Sequence, residues 1–288
     1  MKIEQVLSGF TDEAESQDGL RLAMLLAEQA RARLTVATVQ PPPWTTPGPG
    51  RADESAWLAY LKEEAALILD QAREVAGPQA EYLTLFHRGS GRGLVELARQ
   101  VRADVVVVGS ASQGLKGRIS LGSTADQLLH ASSVAVMLAP RGYARDSPHA
   151  FERITVAYRR GPGCDRATQL AATIAASLGV PLRLVTLMFS GGRPPEIEEL
   201  MLERRREQTA ADLRAAASGH REVEVTGELL EGRNVADALG RTEWLPGELL
   251  VCASSDSGPL RRVFLGDTSI KIICAVSCPV MVLTRQPV

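Results

Sequence analysis

Between residues 109 and 124 the chain collects small and hydroxylated residues in an order that could hold an anion. Gly109-Ser110-Ala111-Ser112-Gln113-Gly114 is followed by the stretch from Leu115 to Leu121 and then by Gly122-Ser123-Thr124. Ser123 stands three residues before Asp126, the capping-box spacing, which predicts a helix beginning at Gly122/Ser123 with free amides and a positive dipole end. Those amides, with the hydroxyls of Ser110, Ser112, Ser123 and Thr124, would make a phosphate cradle that needs no basic side chain. Glycine at Gly109 and Gly122 lets a bulky anion approach the backbone, and Gly114 closes the first half of the loop. A plain strand-to-helix turn with a capped helix fits the same composition. The loop is not of the Walker type, because GxxxxGK[ST] is absent and Lys116 lies in Gly114-Leu115-Lys116-Gly117; GxGxxG is absent too. His87, His130, His149 and His220 are scattered, and Cys164, Cys252, Cys274 and Cys278 form neither a CxxC pair nor a disulfide framework. No metal site is expected, and the cysteines read as small core residues.

The elements that must position this loop occur twice. Residues 109–138 overlie residues 253–282 without a gap, with identities that include Ser110/Ser254, Gly114/Gly258, Arg118/Arg262, Gly122/Gly266, Thr124/Thr268 and Met137/Met281. Each copy alternates short apolar runs with helical periods, the pattern of βαβ units on a parallel sheet. Strands are expected at Gln5 to Ser8, Leu34 to Val39, Tyr82 to Phe86, Asp104 to Gly109 and Val134 to Leu138. Their counterparts are Ile154 to Tyr158, Leu182 to Leu187, Glu222 to Glu228, Glu248 to Ala253 and Val280 to Leu283. Helices are expected at Asp18 to Ala32, Glu54 to Ala76, Gly93 to Val101 and Ser123 to His130. Those of the second copy are Asp165 to Leu178, Pro195 to Ala217, Val235 to Thr242 and Thr268 to Ala275. The run VVVV at 105–108 is apolar on both faces, as a central covered strand must be. QPPPWTTPGPG at 40–50 is too rich in Pro and Gly for regular structure and reads as a surface connection. The expected fold is α/β: two repeated Rossmann-like domains, each an open five-stranded parallel sheet with helices on both faces. Residues 1–140 form the first, 141–151 a linker and 152–288 the second.

Composition narrows the function classes. The 288 residues carry 32 Lys+Arg against 34 Asp+Glu, a formal charge of −2, with 45% hydrophobic residues. Such a chain folds rather than staying disordered and lacks the basic excess that phosphate-backbone binding demands, so nucleic acid is not an expected partner. No apolar run reaches membrane-spanning length, and MKIEQVLSGF has no signal-peptide core, so the expected location is cytoplasmic with no membrane partner.

The loop resembles that of the universal stress protein family, whose nucleotide-binding members carry G-x2-G-x9-G-[S/T] after the fourth strand. Here the frame is Gly109-x2-Ser112-x9-Gly122-Ser123, with serine for the second glycine. The resemblance covers the whole chain as a tandem, including the closing SSVAVMLAP and SCPVMVLTR. It implies an adenine nucleotide, ATP foremost, with or without Mg²⁺. It also implies an Asp at the end of the first strand against the adenosine and a Val at the end of the second against the base. The aligned residues are Thr11, with Asp12 beside it and Gly9 and Phe10 before it, and Val39; Val108 ends the fourth strand. The second copy departs further: Ala253-x2-Asp256-x9-Gly266-Asp267, with Arg159 in place of the first-strand Asp. A carboxylate a few ångströms from a phosphate costs about 1–4 kcal/mol at effective dielectrics of about 80 down to 20, so this copy is expected to be structural or regulatory. The family further implies that the last strands of two domains pair across a pseudo-twofold, that the chain forms a homodimer, and that it serves an unnamed protein partner in the stress response. A ligand-free scaffold acting through protein interactions is the alternative, as is a weak ATPase or autokinase. The cradle supplies hydroxyls but no evident base, so a dedicated enzyme is not expected.

Overall fold

The computed structural model of the chain describes residues 2–42, 51–190, 195–220, 222–253 and 267–283. In the first copy the elements are β1 (Gln5–Gly9), α1 (Ala14–Ala30), β2 (Arg33–Gln40), α2 (Arg51–Ala76), β3 (Glu81–Phe86), α3 (Ser90–Gln100), β4 (Val105–Gly109), α4 (Ser123–Ala131) and β5 (Ala135–Ala139). In the second they are β6 (Arg153–Ala157), α5 (Pro162–Leu178), β7 (Leu182–Phe189), α6 (Pro195–Ser218), β8 (Val225–Gly232), α7 (Val235–Leu239), β9 (Glu248–Ala253), α8 (Asp267–Ala275) and β10 (Val280–Leu283). The strands form one ten-stranded sheet in the order β3-β2-β1-β4-β5-β10-β9-β6-β7-β8.

Two five-stranded parallel sheets are therefore joined edge to edge. The joint is antiparallel, with Val136 opposite Val282, Met137 opposite Met281 and Leu138 opposite Val280, which is the pairing the family resemblance implies. Val105 to Val108 lie between β1 and β5 and are fully or almost fully buried, as a β-branched run covered on both faces requires. One face of the sheet packs on α1 and α5 through Leu22, Leu26 and Ile174; the other packs on α3, α4, α7 and α8 through Leu94, Leu128, Leu239 and Ile273. Each of these apolar layers runs through both copies.

Several boundaries differ from the sequence pattern. α1 begins at Ala14, one turn before Asp18, because the Asp18 carboxylate serves a tertiary contact instead of a helix start: it is buried and accepts the amides of Gly142 and Ala144, each at 2.7 Å. β8 runs from Val225 to Gly232 and not from Glu222, since its register along β7, from Leu182–Val225 to Phe189–Gly232, extends the ladder past Glu228. α7 stops at Leu239, three residues before Thr242; Gly240 ends it, and the Trp244 indole donates to the Leu239 carbonyl at 2.9 Å. Among the cysteines, Cys252 and Cys278 are core residues, Cys164 is half-buried, and Cys274 is exposed, contrary to the core expectation, because it falls on the outer face of α8. Burial pushes the Cys252 thiol up to about 12. Of the Pro- and Gly-rich stretch, 43–50 lies outside the described residues.

The amino ends of the strands close differently in the two copies. In the first, Asp104 accepts the amides of Glu4 and Gln5 at 2.7 and 3.0 Å, and the Gln5 amide nitrogen donates to Thr35. In the second, the fully buried Glu248 takes Arg153 at 2.7 Å, Arg183 at 2.6 Å, the Leu245 amide at 2.9 Å and the Thr155 hydroxyl, while Arg183 also lies 5.0 Å from the centre of the Trp244 ring. Removing one member of such a pair leaves a buried charge undercompensated. Arg183→Ala is expected to cost about 3–5 kcal/mol, read as a lower urea midpoint, whereas Lys2→Ala at an exposed ion pair leaves the midpoint unchanged.

Candidate functional site

The order β3-β2-β1-β4 reverses direction at β1/β4, and in an open parallel sheet the crevice beyond the carboxyl ends at that point is where ligands sit. A cleft of about 260 Å³ lies there. It collects eleven of the thirteen residues singled out by the sequence pattern: Gly9, Phe10 and Thr11 after β1, Val39 on β2, Val108, Gly109, Ser110 and Ser112 from β4 and its loop, and Gly122, Ser123 and Thr124 at the start of α4. Asp12 and Gly114 do not line it. Gly114 points away, its carbonyl accepting from Arg141 Nη1 at 2.7 Å. The pattern missed Glu13, Glu15 and Ser16 on the turn into α1, Ala37 on β2, Ser90 and Leu94 on α3, and Ala111 and Ala125. Tertiary packing alone brings α3 here, and nothing local to those residues announces it; Ser90 Oγ meets Thr124 Oγ1 at 2.6 Å.

The loop itself is built by hydrogen bonds among its own residues. Ser110 Oγ is buried and accepts the Ser120 amide at 2.8 Å, while the Ala111 amide donates to the Ser120 carbonyl at 2.9 Å, so this hydroxyl closes the loop instead of facing a ligand. Ser112 does not use left-handed backbone; that conformation falls to Gly117 at φ +73°, which is why serine is tolerated where the family pattern has glycine. Gly109 is needed for helix packing: a Cβ there would lie 2.1 Å from the Glu15 carbonyl oxygen, and one on Gly19 would lie 2.6 Å from the Gly109 nitrogen. Its small size therefore serves the crossing of α1 over β4, which corrects the assignment of that glycine to anion approach alone. Thr11 shapes the turn into α1, its hydroxyl 2.7 Å from Ser16 Oγ.

At α4 the capping box does not form. Gly122 is the extended N-cap, Ser123 is the first helical residue, no side chain caps the end, and Asp126 instead lies 3.3 Å from His130. The result is an uncapped helix N-terminus whose first residues, Ser123, Thr124 and Ala125, line the cleft. Val39, Leu94 and Val108 supply an apolar wall, and Gly9 is small because a Cβ there would meet Leu94 at 2.7 Å. Among the described residues two carboxylates line the cleft and no Lys or Arg does; Glu15 is held by Arg141 at 3.3 Å. Among the described residues no group of three or more His, Cys, Asp or Glu is placed to hold a metal. The corresponding loop of the second copy, 254–266, lies outside the described residues; Asp267, at the start of α8, pairs with Lys271 at 2.6 Å.

Residues 2–140 and 150–284 each match the universal stress protein family model. Universal stress proteins of Mycobacterium tuberculosis and Mycobacterium bovis are each 31% identical over 289 aligned positions, covering 96% of this chain and 99% of the relative. The crystal structure of a universal stress protein from Archaeoglobus fulgidus superposes with a TM-score of 0.70 at 21% identity, over 99% of this chain and 100% of that one. A universal stress protein crystallised in complex with cAMP is 24% identical, with a TM-score of 0.37 over 48% of this chain and 98% of its own. Among the described residues no helix is long and apolar enough to cross a membrane.

The crossing of α1 over β4 makes a specific demand. Gly109→Ala is expected to destabilise the fold by about 1–3 kcal/mol through overpacking against the Glu15 carbonyl, seen as a lower thermal midpoint with no ligand present.

Proposed function

Because the chain belongs to the universal stress protein family as two copies in tandem, we propose that its first copy binds an adenine nucleotide in the cleft after β1, β2 and β4, and that the second plays a structural or regulatory part. The observation that carries this is the uncapped N-terminus of α4 opening into the cleft beside Ser112 and Thr124. Amides and a positive dipole end there favour a phosphate. The wall of Val39, Leu94 and Val108 suits the flat face of a base. A volume of about 260 Å³ lies near the lower end of the roughly 300–1,000 Å³ of ligand pockets, which suits a nucleoside with its phosphates at the mouth. With Glu13 and Glu15 present and no basic side chain, a polyphosphate such as ATP would need Mg²⁺ to offset its charge. In this reading the protein works in the cytoplasm in the stress response, as a homodimer, and signals occupancy to a protein partner.

The same absence of basic side chains favours a second reading, a ligand-free scaffold acting through its surfaces. Acid extraction of undialysed protein followed by mass spectrometry separates the two: about one adenine nucleotide per chain supports the binding reading, and no nucleotide with no thermal shift on adding ATP, AMP or cAMP supports the scaffold. Ser112→Asp and Ser123→Asp each place a carboxylate at the cradle, and each is expected to weaken binding about tenfold or more in calorimetric titration. Full affinity in both variants would remove the cradle from the proposal.

A further inference from the structure

The groove between α3 and α4 and the groove between α7 and α8 are the same place in the two copies, and they have opposite character. Among the described residues the first is lined mostly by polar and charged side chains, Arg92, Glu96, Arg99, Asp126, Gln127 and His130, with Val95 and Ala131. The second is of similar size, about 700 Å³ against about 750 Å³, although α7 has five residues and α3 eleven, so the difference lies in the lining. Its floor is Val235, Leu239 and Trp244, and it is closed from the first copy by Leu115 and Ile119 of the glycine loop. The charged version in the first copy demonstrates that the fold does not require an apolar groove here.

The charges around this cavity are one-sided. Among the described residues Arg118 and Lys271 line it and no carboxylate does, in a protein whose formal charge is −2. The Arg118 guanidinium donates to the Ala275 carbonyl, and Lys271 pairs with the exposed Asp267 one turn back on α8, an ion pair that exchanges easily with another anion. From the apolar floor and these two cations, we propose that the seam between the copies is a binding site for a free amphipathic carboxylate, an alkyl acid whose chain lies on Val235, Leu239 and Trp244 and whose head meets Lys271 and Arg118. This site is separate from the cleft of the first copy and does not depend on what that cleft holds.

Cys274 lines the groove and is the exposed thiol among the described cysteines, whereas Cys252 and Cys278 are buried. It reports occupancy directly. Decanoate, below its micellar concentration, is titrated into the full chain by calorimetry while alkylation of Cys274 is followed by peptide mass spectrometry. Saturable binding near one per chain, with slower Cys274 alkylation, is the expected result, and decyltrimethylammonium, of equal chain length and opposite charge, is expected to do neither. Lys271→Glu, at an exposed position, is expected to weaken decanoate about tenfold, the loss typical of a charge-assisted contact. Ala236→Trp, from the exposed rim, is expected to plug the groove and abolish protection. An unchanged alkylation rate at saturating decanoate, equal binding of the cationic amphiphile, or full affinity in both variants would overturn the site.

Discussion

The antiparallel ladder between β5 and β10 is the contact on which the rest of the molecule depends. Without it each copy would expose the edge of an open sheet, with a row of unpaired amides and carbonyls beside Val136, Met137 and Leu138. Pairing the two edges satisfies those groups and lets the apolar layers above and below the sheet run through both copies. Because both strands end the last βαβ unit of their copy, this joint also sets the glycine loop of the first copy against α7 and α8 of the second. The seam groove and the relation between the two halves both follow from a single strand pairing.

A second constraint acts at the other side of the glycine loop. Gly19 and Gly109 let α1 cross β4 at backbone contact, which brings the first turn of α1, with Glu13, Glu15 and Ser16, into the cleft. Residues just after β5 are then fastened to both: Asp18 accepts the amides of Gly142 and Ala144, Arg141 bridges Glu15 and the Gly114 carbonyl, and the Arg141 backbone exchanges hydrogen bonds with Gly117 and Arg118. The segment that connects the copies is thus part of the wall of the loop. One side of the loop faces the cleft through Ala111 and Ser112; the other faces the seam through Leu115, Arg118 and Ile119.

The two copies keep one architecture while their polar chemistry diverges. Where the first closes the amino ends of its strands with Asp104 on backbone amides and Gln5 on Thr35, the second buries Glu248 between two arginines. Either solution satisfies the buried polar groups, which is what the fold demands. The carboxyl ends are free of that demand, and there the copies part: Ser123 against Asp267, and an α3 of full length against a truncated α7.

Periodicity and internal repetition were sufficient to determine the ten strands and eight helices of the described residues, the tandem and the parallel sheet within each copy, because these rest on apolar spacing along the chain and on β-branched runs such as Val105 to Val108. The loop from Gly109 to Thr124 was legible from its small and hydroxylated residues, whereas Gly9 to Thr11 and Val39 were singled out by the resemblance to the universal stress protein family; of the residues singled out, all except Asp12 and Gly114 line the cleft where the sequence placed the loop's strand end. What each of them does was decided only by three-dimensional packing. Ser110 is spent on closing the loop, Gly109 on admitting α1, and Ser123 sits one position inside the helix it was expected to cap. Ser90 and Leu94 reach the cleft from α3, which the sequence pattern did not connect with it, and the seam groove joins residues more than a hundred positions apart. Local spacing carries no record of such meetings, because they are fixed by where whole helices and strands come to rest against one another.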